Sequence, residues 1–200
     1  SQPEAVEQLK RDVEHVLGPP AILVNAAGIF GPIQLIRDSD VTEWIETLQV
    51  NTIAPYLTCR AFVGGMVDAG WGRIVNLSSA AALSPPGPLN SAYVTSKVAL
   101  NQLTRHLAAE VAGTHVTANV IHPGEVKTEL WADIRDKARR AGAHGEGLVR
   151  WAEWVEATGG DAPTKAAELV LKLVSEAGGG INGQFLWIED GLKAPLPSWS

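Results

Sequence analysis

Tyr93 and Lys97 stand four residues apart in the segment Tyr93-Val94-Thr95-Ser96-Lys97. On a helix that spacing puts both side chains on one face, one turn apart. A free phenol titrates near pH ~10, too high for proton transfer near neutrality. An adjacent ammonium favours the phenolate and lowers that value, so the pair can form an acid/base unit. The spacing equally describes two residues on a solvated helix face, so other groups must decide between the two readings. Ser78-Ser79 follows the apolar run Arg73 to Leu77, where a hydroxyl could polarise a substrate carbonyl. Asn25-Ala26-Ala27-Gly28 ends another apolar run, and small residues there would let a flat ligand approach the backbone. Pro123-Gly124-Glu125-Val126-Lys127-Thr128 follows a third run and offers backbone N–H groups and a hydroxyl. Asn51 precedes a helical stretch and reads by itself as an N-cap.

The elements that must position these groups alternate. Val6, Leu9, Val13, Val16 and Leu17 fall at helical spacing before Gly18-Pro19-Pro20, which predicts an amphipathic helix over 3–17. Ala21 to Val24 is a short continuous apolar run that predicts a parallel strand buried on both faces. Two helices are expected over roughly 40–49 and 52–68, with Pro55 in the first turn of the second. Arg73 to Leu77 reads as a strand, 84–88 as a Pro/Gly-rich loop, Ser91 to Val111 as a long helix and Val116 to Ile121 as a third strand. After Pro123-Gly124 the pattern is irregular and Trp-rich to about 160, then predicts a helix over 163–176 and a strand over 184–188. Such alternation argues for an α/β fold with a doubly wound parallel sheet, in which ligand crevices lie at the carboxyl ends of the strands. All three chemistry-bearing segments occupy such ends.

Composition bounds the function. The chain has 200 residues, 46% hydrophobic and 19% charged, the balance of a single packed domain. Its formal net charge is -6 and its cations are scattered apart from the run Arg135 to Arg140, which argues against nucleic acid as a partner. Cys59 is the only cysteine, and His15, His106, His115, His122 and His144 are not spaced as ligands, so no metal is expected. The charged N-terminus and the short apolar runs predict no membrane association and a soluble, cytoplasmic protein.

N-A-A-G, Asn51, Ser-Ser, Y-x-x-x-K, Asn119 and P-G-x-V-x-T occur in an order and spacing that resemble short-chain dehydrogenases/reductases over essentially the whole chain. The tail I-N-G-Q-F-L-W-I-E-D-G resembles that family's last strand, with Leu192 where a second glycine is usual. The resemblance implies a Rossmann-like sheet and NAD(P)-dependent interconversion of a carbonyl and an alcohol on a small-molecule substrate. By it, Tyr93 is the general acid/base, and Lys97 lowers its pKa and holds the nicotinamide ribose. Ser79, and not Ser78, matches the catalytic serine by its distance from Tyr93, with one residue more than usual in the loop S-P-P-G-P-L-N. Asn51 positions a water behind Lys97. Asn25, Ala26 and Gly28 line the cofactor together with Tyr93, Lys97, Pro123 and Gly124, while Val126 and Thr128 hold the carboxamide that orients its nicotinamide face. The segment at about 129–160 corresponds to a variable substrate lid, and its Trp131, Trp151 and Trp154 suit either an apolar or ring-bearing substrate or simple lid packing. The helices at 52–68 and 91–111 correspond to those that pair in family dimers and tetramers.

One family element is not in the sequence: the glycine-rich turn T-G-x-x-x-G-x-G. Gly178-x-Gly180-x-x-Gly183 matches G-x-G-x-x-G in letters, but a predicted helix precedes it and a strand follows, the reverse of the order phosphate binding needs. Gly65 to Gly72 fails in the same way. The expectation is therefore a single Rossmann-like domain over 1–200 without its first strands, with the choice between NAD and NADP unreadable. The alternative is a non-catalytic member acting as a binding or subunit-interaction module.

Overall fold

A computed structural model describes residues 2–193. Four strands, β1 (Ile22–Asn25), β2 (Gly72–Leu77), β3 (Val116–His122) and β4 (Phe185–Trp187), form one parallel sheet in the order β1-β2-β3-β4. Among the described residues seven α-helices surround it: α1 (Pro3–Leu17), α2 (Val41–Leu48), α3 (Ala54–Asp68), α4 (Ser91–Glu110), α5 (Glu129–Arg140), α6 (Glu146–Thr158) and α7 (Pro163–Val174), with a π turn over Gln49–Ile53 between α2 and α3. Alternation along β2 divides the core: Ile74 faces Phe62 and Met66 of α3 and Leu107 and Ala108 of α4, while Val75 faces Leu169 and Leu173 of α7. Helices thus cover both faces of the sheet, the doubly wound arrangement expected of alternating elements.

The register places the strand ends side by side. Asn25 is opposite Asn76, and Asn76 is opposite Val120. The Asn25 amide donates to Asn76 Oδ1 at 2.8 Å, and Thr58 of α3 donates to Asn25 Oδ1 at 2.8 Å. Asn76 in turn donates to Thr104 of α4 at 2.8 Å. This buried chain of amides and hydroxyls fixes α3 and α4 against the first two strands close to where they end.

The structure differs from the sequence reading in three places. The strand predicted at 21–24 is not buried on both faces: Ile22 and Val24 are 45% and 41% exposed. Among the described residues β1 is an edge strand paired with β2 alone, and its side chains alternate between exposed and half-buried. Asn51 is not an N-cap, because α2, the π turn and α3 form one uninterrupted helical rod with αR backbone at both junctions. Pro55 lacks an N–H, so it cannot close an α turn onto the Asn51 carbonyl four residues earlier. The chain widens instead, and the Ala54 N–H reaches the Gln49 carbonyl five residues back. The Trp-rich stretch is helical, not irregular. Thr128 caps α5 by accepting from the Trp131 N–H, Glu129 opens its first turn, and Lys137, Arg139 and Arg140 close its last, the charge order that the helix dipole favours. Among the described residues no helix is long and apolar enough to cross a membrane.

Candidate active site

The carboxyl ends of β1, β2 and β3 open into a cavity of about 620 Å³, closed on the far side by α5 and α6. Tyr93 enters from the first turn of α4, buried, with its ring stacked on Phe30 at a centroid distance of 4.5 Å. Ser79 shares the cavity wall with Tyr93 and acts to lower the pKa of its phenol, while its Oγ accepts from the Ala81 N–H at 3.2 Å. Ser78 turns the other way, buried, with Oγ 3.5 Å from the Lys97 carbonyl. Geometry therefore puts Ser79, and not Ser78, beside the tyrosine.

Lys97 lies one helical turn behind Tyr93, and its Nζ is 5.7 Å from the tyrosine ring centroid. It donates to the Leu77 carbonyl at 2.9 Å. Burial pushes its pKa down to about 8. Asn51 is buried and held from two sides: Oδ1 accepts from the Ile29 N–H at 2.9 Å, and Nδ2 donates to the Ile29 carbonyl at 2.8 Å and to Ser96 Oγ at 2.9 Å. It thereby ties the loop after β1 to the helix that carries Tyr93 and Lys97.

The tyrosine pKa departs from the sequence reading. It is raised, first by burial and further by the charge of Glu125, with Ser79 acting against both. The expected lowering by Lys97 does not operate in this arrangement, because the ammonium is turned to the Leu77 carbonyl.

Ala26, Gly28, Pro123, Gly124, Val126 and Thr128 all line the cavity, as does Tyr93. Asn25 does not, since its side chain is spent on the sheet contacts described above. A nicotinamide fits this end of the cavity by one test: a Cβ at Gly28 would come within 3.2 Å of Asn51 Oδ1 and 3.4 Å of Lys97 Nζ. Glycine there leaves open the cradle in front of Lys97, the side chain expected to meet the ribose, and of Asn51 behind it. Gly124 has φ +84°, and a Cβ there would run into Ile188 and the Asp161 carboxylate. Asp161 locks this turn by accepting from the Glu125 N–H at 3.0 Å while its own N–H donates to the Glu125 carbonyl at 3.0 Å.

The sequence reading gave no site role to His122 or Glu125 of the cavity wall, and offered Trp151 as either a substrate wall or lid packing. His122 accepts from the Ala80 N–H through Nδ1 at 3.2 Å, so the neutral ring carries its proton on Nε2, 3.8 Å from Glu125 Oε1. Burial pulls its pKa down to about 4. Trp151 of α6 donates its indole N–H to Glu125 Oε2 at 3.0 Å. Glu125 itself has a raised pKa, by burial first, opposed by the Trp151 hydrogen bond and reinforced by Asp161 and Glu189. The available signal was a carboxylate in the strand-end segment Pro123 to Thr128, directly after the turn glycine Gly124. Among the described residues no cluster of His, Cys, Asp and Glu is arranged to hold a metal.

This fold and these strand-end groups define an α/β protein with a nucleotide-type crevice, and the comparisons give its family. The short chain dehydrogenase family model matches residues 1–139, and the chain belongs to that family. It is 33% identical over 193 residues to a short-chain type dehydrogenase/reductase of Picea abies, covering 96% of this chain and 68% of the relative. It is 34% identical over 189 residues to a galactitol 2-dehydrogenase (L-tagatose-forming) of Cereibacter sphaeroides, covering 94% and 71%. Among solved structures, a 4-hydroxyisoleucine dehydrogenase complexed with NADH matches with a TM-score of 0.73 at 26% identity, over 98% of this chain and 78% of that one. The chain thus spans about two thirds to three quarters of the length of these relatives.

Proposed function

We propose that this chain carries the catalytic half of an NAD(P)-dependent oxidoreductase that interconverts a carbonyl compound and an alcohol. The observation that carries the reading is the placement of Ser79 and Tyr93 together on the cavity wall, with Lys97 one turn behind and Asn51 clamped beside it. A nicotinamide bound over Gly28 supplies the hydride donor or acceptor that no side chain of this wall can provide.

The residues handle the oxygen and its proton. Ser79 Oγ hydrogen-bonds the substrate oxygen and fixes its distance from Tyr93. The phenol, kept protonated by burial, gives its proton to that oxygen during reduction and takes it back during oxidation. Lys97, with a pKa near that of its working range, turns from the Leu77 carbonyl toward the ribose and stabilises the phenolate left behind. Asn51 holds the helix turn in place and positions a water through which the proton is replaced. Val126 and Thr128 orient the carboxamide. Phe30 excludes solvent from the tyrosine ring.

Tyr93→Phe separates this reading from a binding role. Turnover of a ketone panel with NADH or NADPH is expected to fall by at least about 10²-fold, with the cofactor dissociation constant unchanged. A variant that retains most of its kcat removes Tyr93 from the mechanism.

A further inference from the structure

Among the described residues lining the cavity, Glu125 is the one with a formal charge at neutral pH. The remainder of its wall is apolar or neutral, and includes Leu130, Ile134 and Leu148 from the helices that close it. Glu125 is held firmly: Oε2 takes the Trp151 N–H, and its backbone is clamped by Asp161 on both sides. Oε1 has only the His122 Nε2 proton nearby, at 3.8 Å, which is beyond hydrogen-bond length and leaves this oxygen with acceptor capacity. No lysine or arginine among the described residues is ion-paired to Glu125, and the charges that act on its pKa, Asp161 and Glu189, are negative. Asp161 has Lys165 at 2.6 Å, so that cation is already committed.

We propose that Glu125 is the specificity-determining residue of this site. It accepts a hydrogen bond from a hydroxyl carried by the substrate beyond the reacting carbon, and it rejects substrates that present a carboxylate or phosphate there. The substrate class is thereby a neutral hydroxylated alcohol or its keto form. The inference rests on the reading of the cavity as a carbonyl/alcohol site. The chemistry is one of unmet demand. A carboxylate buried in a mostly apolar wall needs donors, and a hydroxyl is the neutral donor that an alcohol substrate supplies. An anion brought to the same place meets an uncompensated like charge in a region of low dielectric. Trp151 makes the recognition rigid, because its indole holds the carboxylate plane while Oε1 stays open to the ligand.

The test measures binding, so that it stands apart from turnover. Dissociation constants for butane-2,3-diol and for 3-hydroxybutyrate are measured by ligand-observed NMR titration, with and without NAD+, on the wild type and on E125Q. The wild type is expected to bind the diol at least about tenfold more tightly than the hydroxy acid. In E125Q, which keeps an acceptor oxygen and loses the charge, the two constants are expected to converge to within about threefold. A wild type that binds the hydroxy acid as tightly as the diol, or that binds neither, overturns the proposal, as does an E125Q ratio equal to that of the wild type. The wild-type order is decisive even where E125Q does not fold. If the binding order holds while the wild type does not oxidise the diol with NAD+ or NADP+, the redox reading fails and the assignment of Glu125 stands.

Discussion

Lys97→Met is expected to make the protein more stable while it removes activity. The lysine is 5% exposed, and its pKa falls from 10.5 to about 8 because burial penalises the ammonium. That interval corresponds to about 3 kcal/mol of unfavourable free energy in the folded state at pH 7, where the group is charged. Methionine has a similar length and no charge, so the penalty disappears. The hydrogen bond to the Leu77 carbonyl goes with it, which offsets about 1–2 kcal/mol. A net gain of about 1–2 kcal/mol remains, read as a rise in urea midpoint at unchanged m. The pH dependence is the sharper part. Between about pH 8 and 10.5 the folded lysine has shed its proton and the unfolded one still holds it, so wild-type stability rises with pH across this window. The variant lacks that rise, and its advantage at pH 7 is expected to shrink by pH 10. A variant less stable than wild type at pH 7, or an advantage that does not change with pH, would refute the idea that Lys97 is held at a cost to the fold.

His122 predicts the acid limb. Its folded pKa of about 4 lies below the unfolded value of 6.5, so the unfolded chain binds the extra proton and stability falls as pH drops from 6.5 towards 4, by up to about 3 kcal/mol. Denaturant melts of the wild type against His122→Gln over that window should show the difference, and parallel curves would count against it. Self-association is expected through α3 and α4, where Ile53 at the end of the π turn, Tyr56 and Val98 are exposed. Sedimentation should show at least a dimer at micromolar concentration and a shift towards monomer in Val98→Glu; a wild-type monomer would contradict this.

What the sequence revealed depended on how local the signal was. The Tyr93/Lys97 pair, the small residues of N-A-A-G and the ends of β1, β2 and β3 follow from spacing over a few residues; of these side chains Ala26, Gly28 and Tyr93 line the cavity, while Asn25 and Lys97 do not. Asn25 reads as a ligand group in one dimension. Its use by Asn76 and Thr58, 51 and 33 residues away, is visible only once the sheet exists. Glu125 was hidden for the same reason, since Trp151 and Asp161 that hold it are 26 and 36 residues further on. The helices α5 and α6 were missed although Thr128, Glu129 and the closing cations mark the ends of α5. The clustered tryptophans drew attention from an ordinary cap-and-charge pattern. The direction of the Tyr93 pKa was beyond any pattern, because it turns on how deeply the ring is buried and on which carbonyl Lys97 faces.

The π turn at Gln49–Ile53 changes how the rod from α2 to α3 can tolerate alteration. One extra residue in a single turn advances everything beyond it by about 100° around the axis. The two halves of one straight helix therefore carry their apolar stripes out of phase. The first half meets α4 through the Trp44 indole, which donates to Ser91 at 3.1 Å, and the second lays Phe62 and Met66 on the sheet. Side chains on either stripe can be exchanged for others of similar size without disturbing this arrangement. The number of residues between Gln49 and Ile53 cannot, because losing one would rotate one stripe about the axis relative to the other. In that segment the fold depends on length more than on side-chain identity, and Asn51 sits in the π turn where the two phases meet.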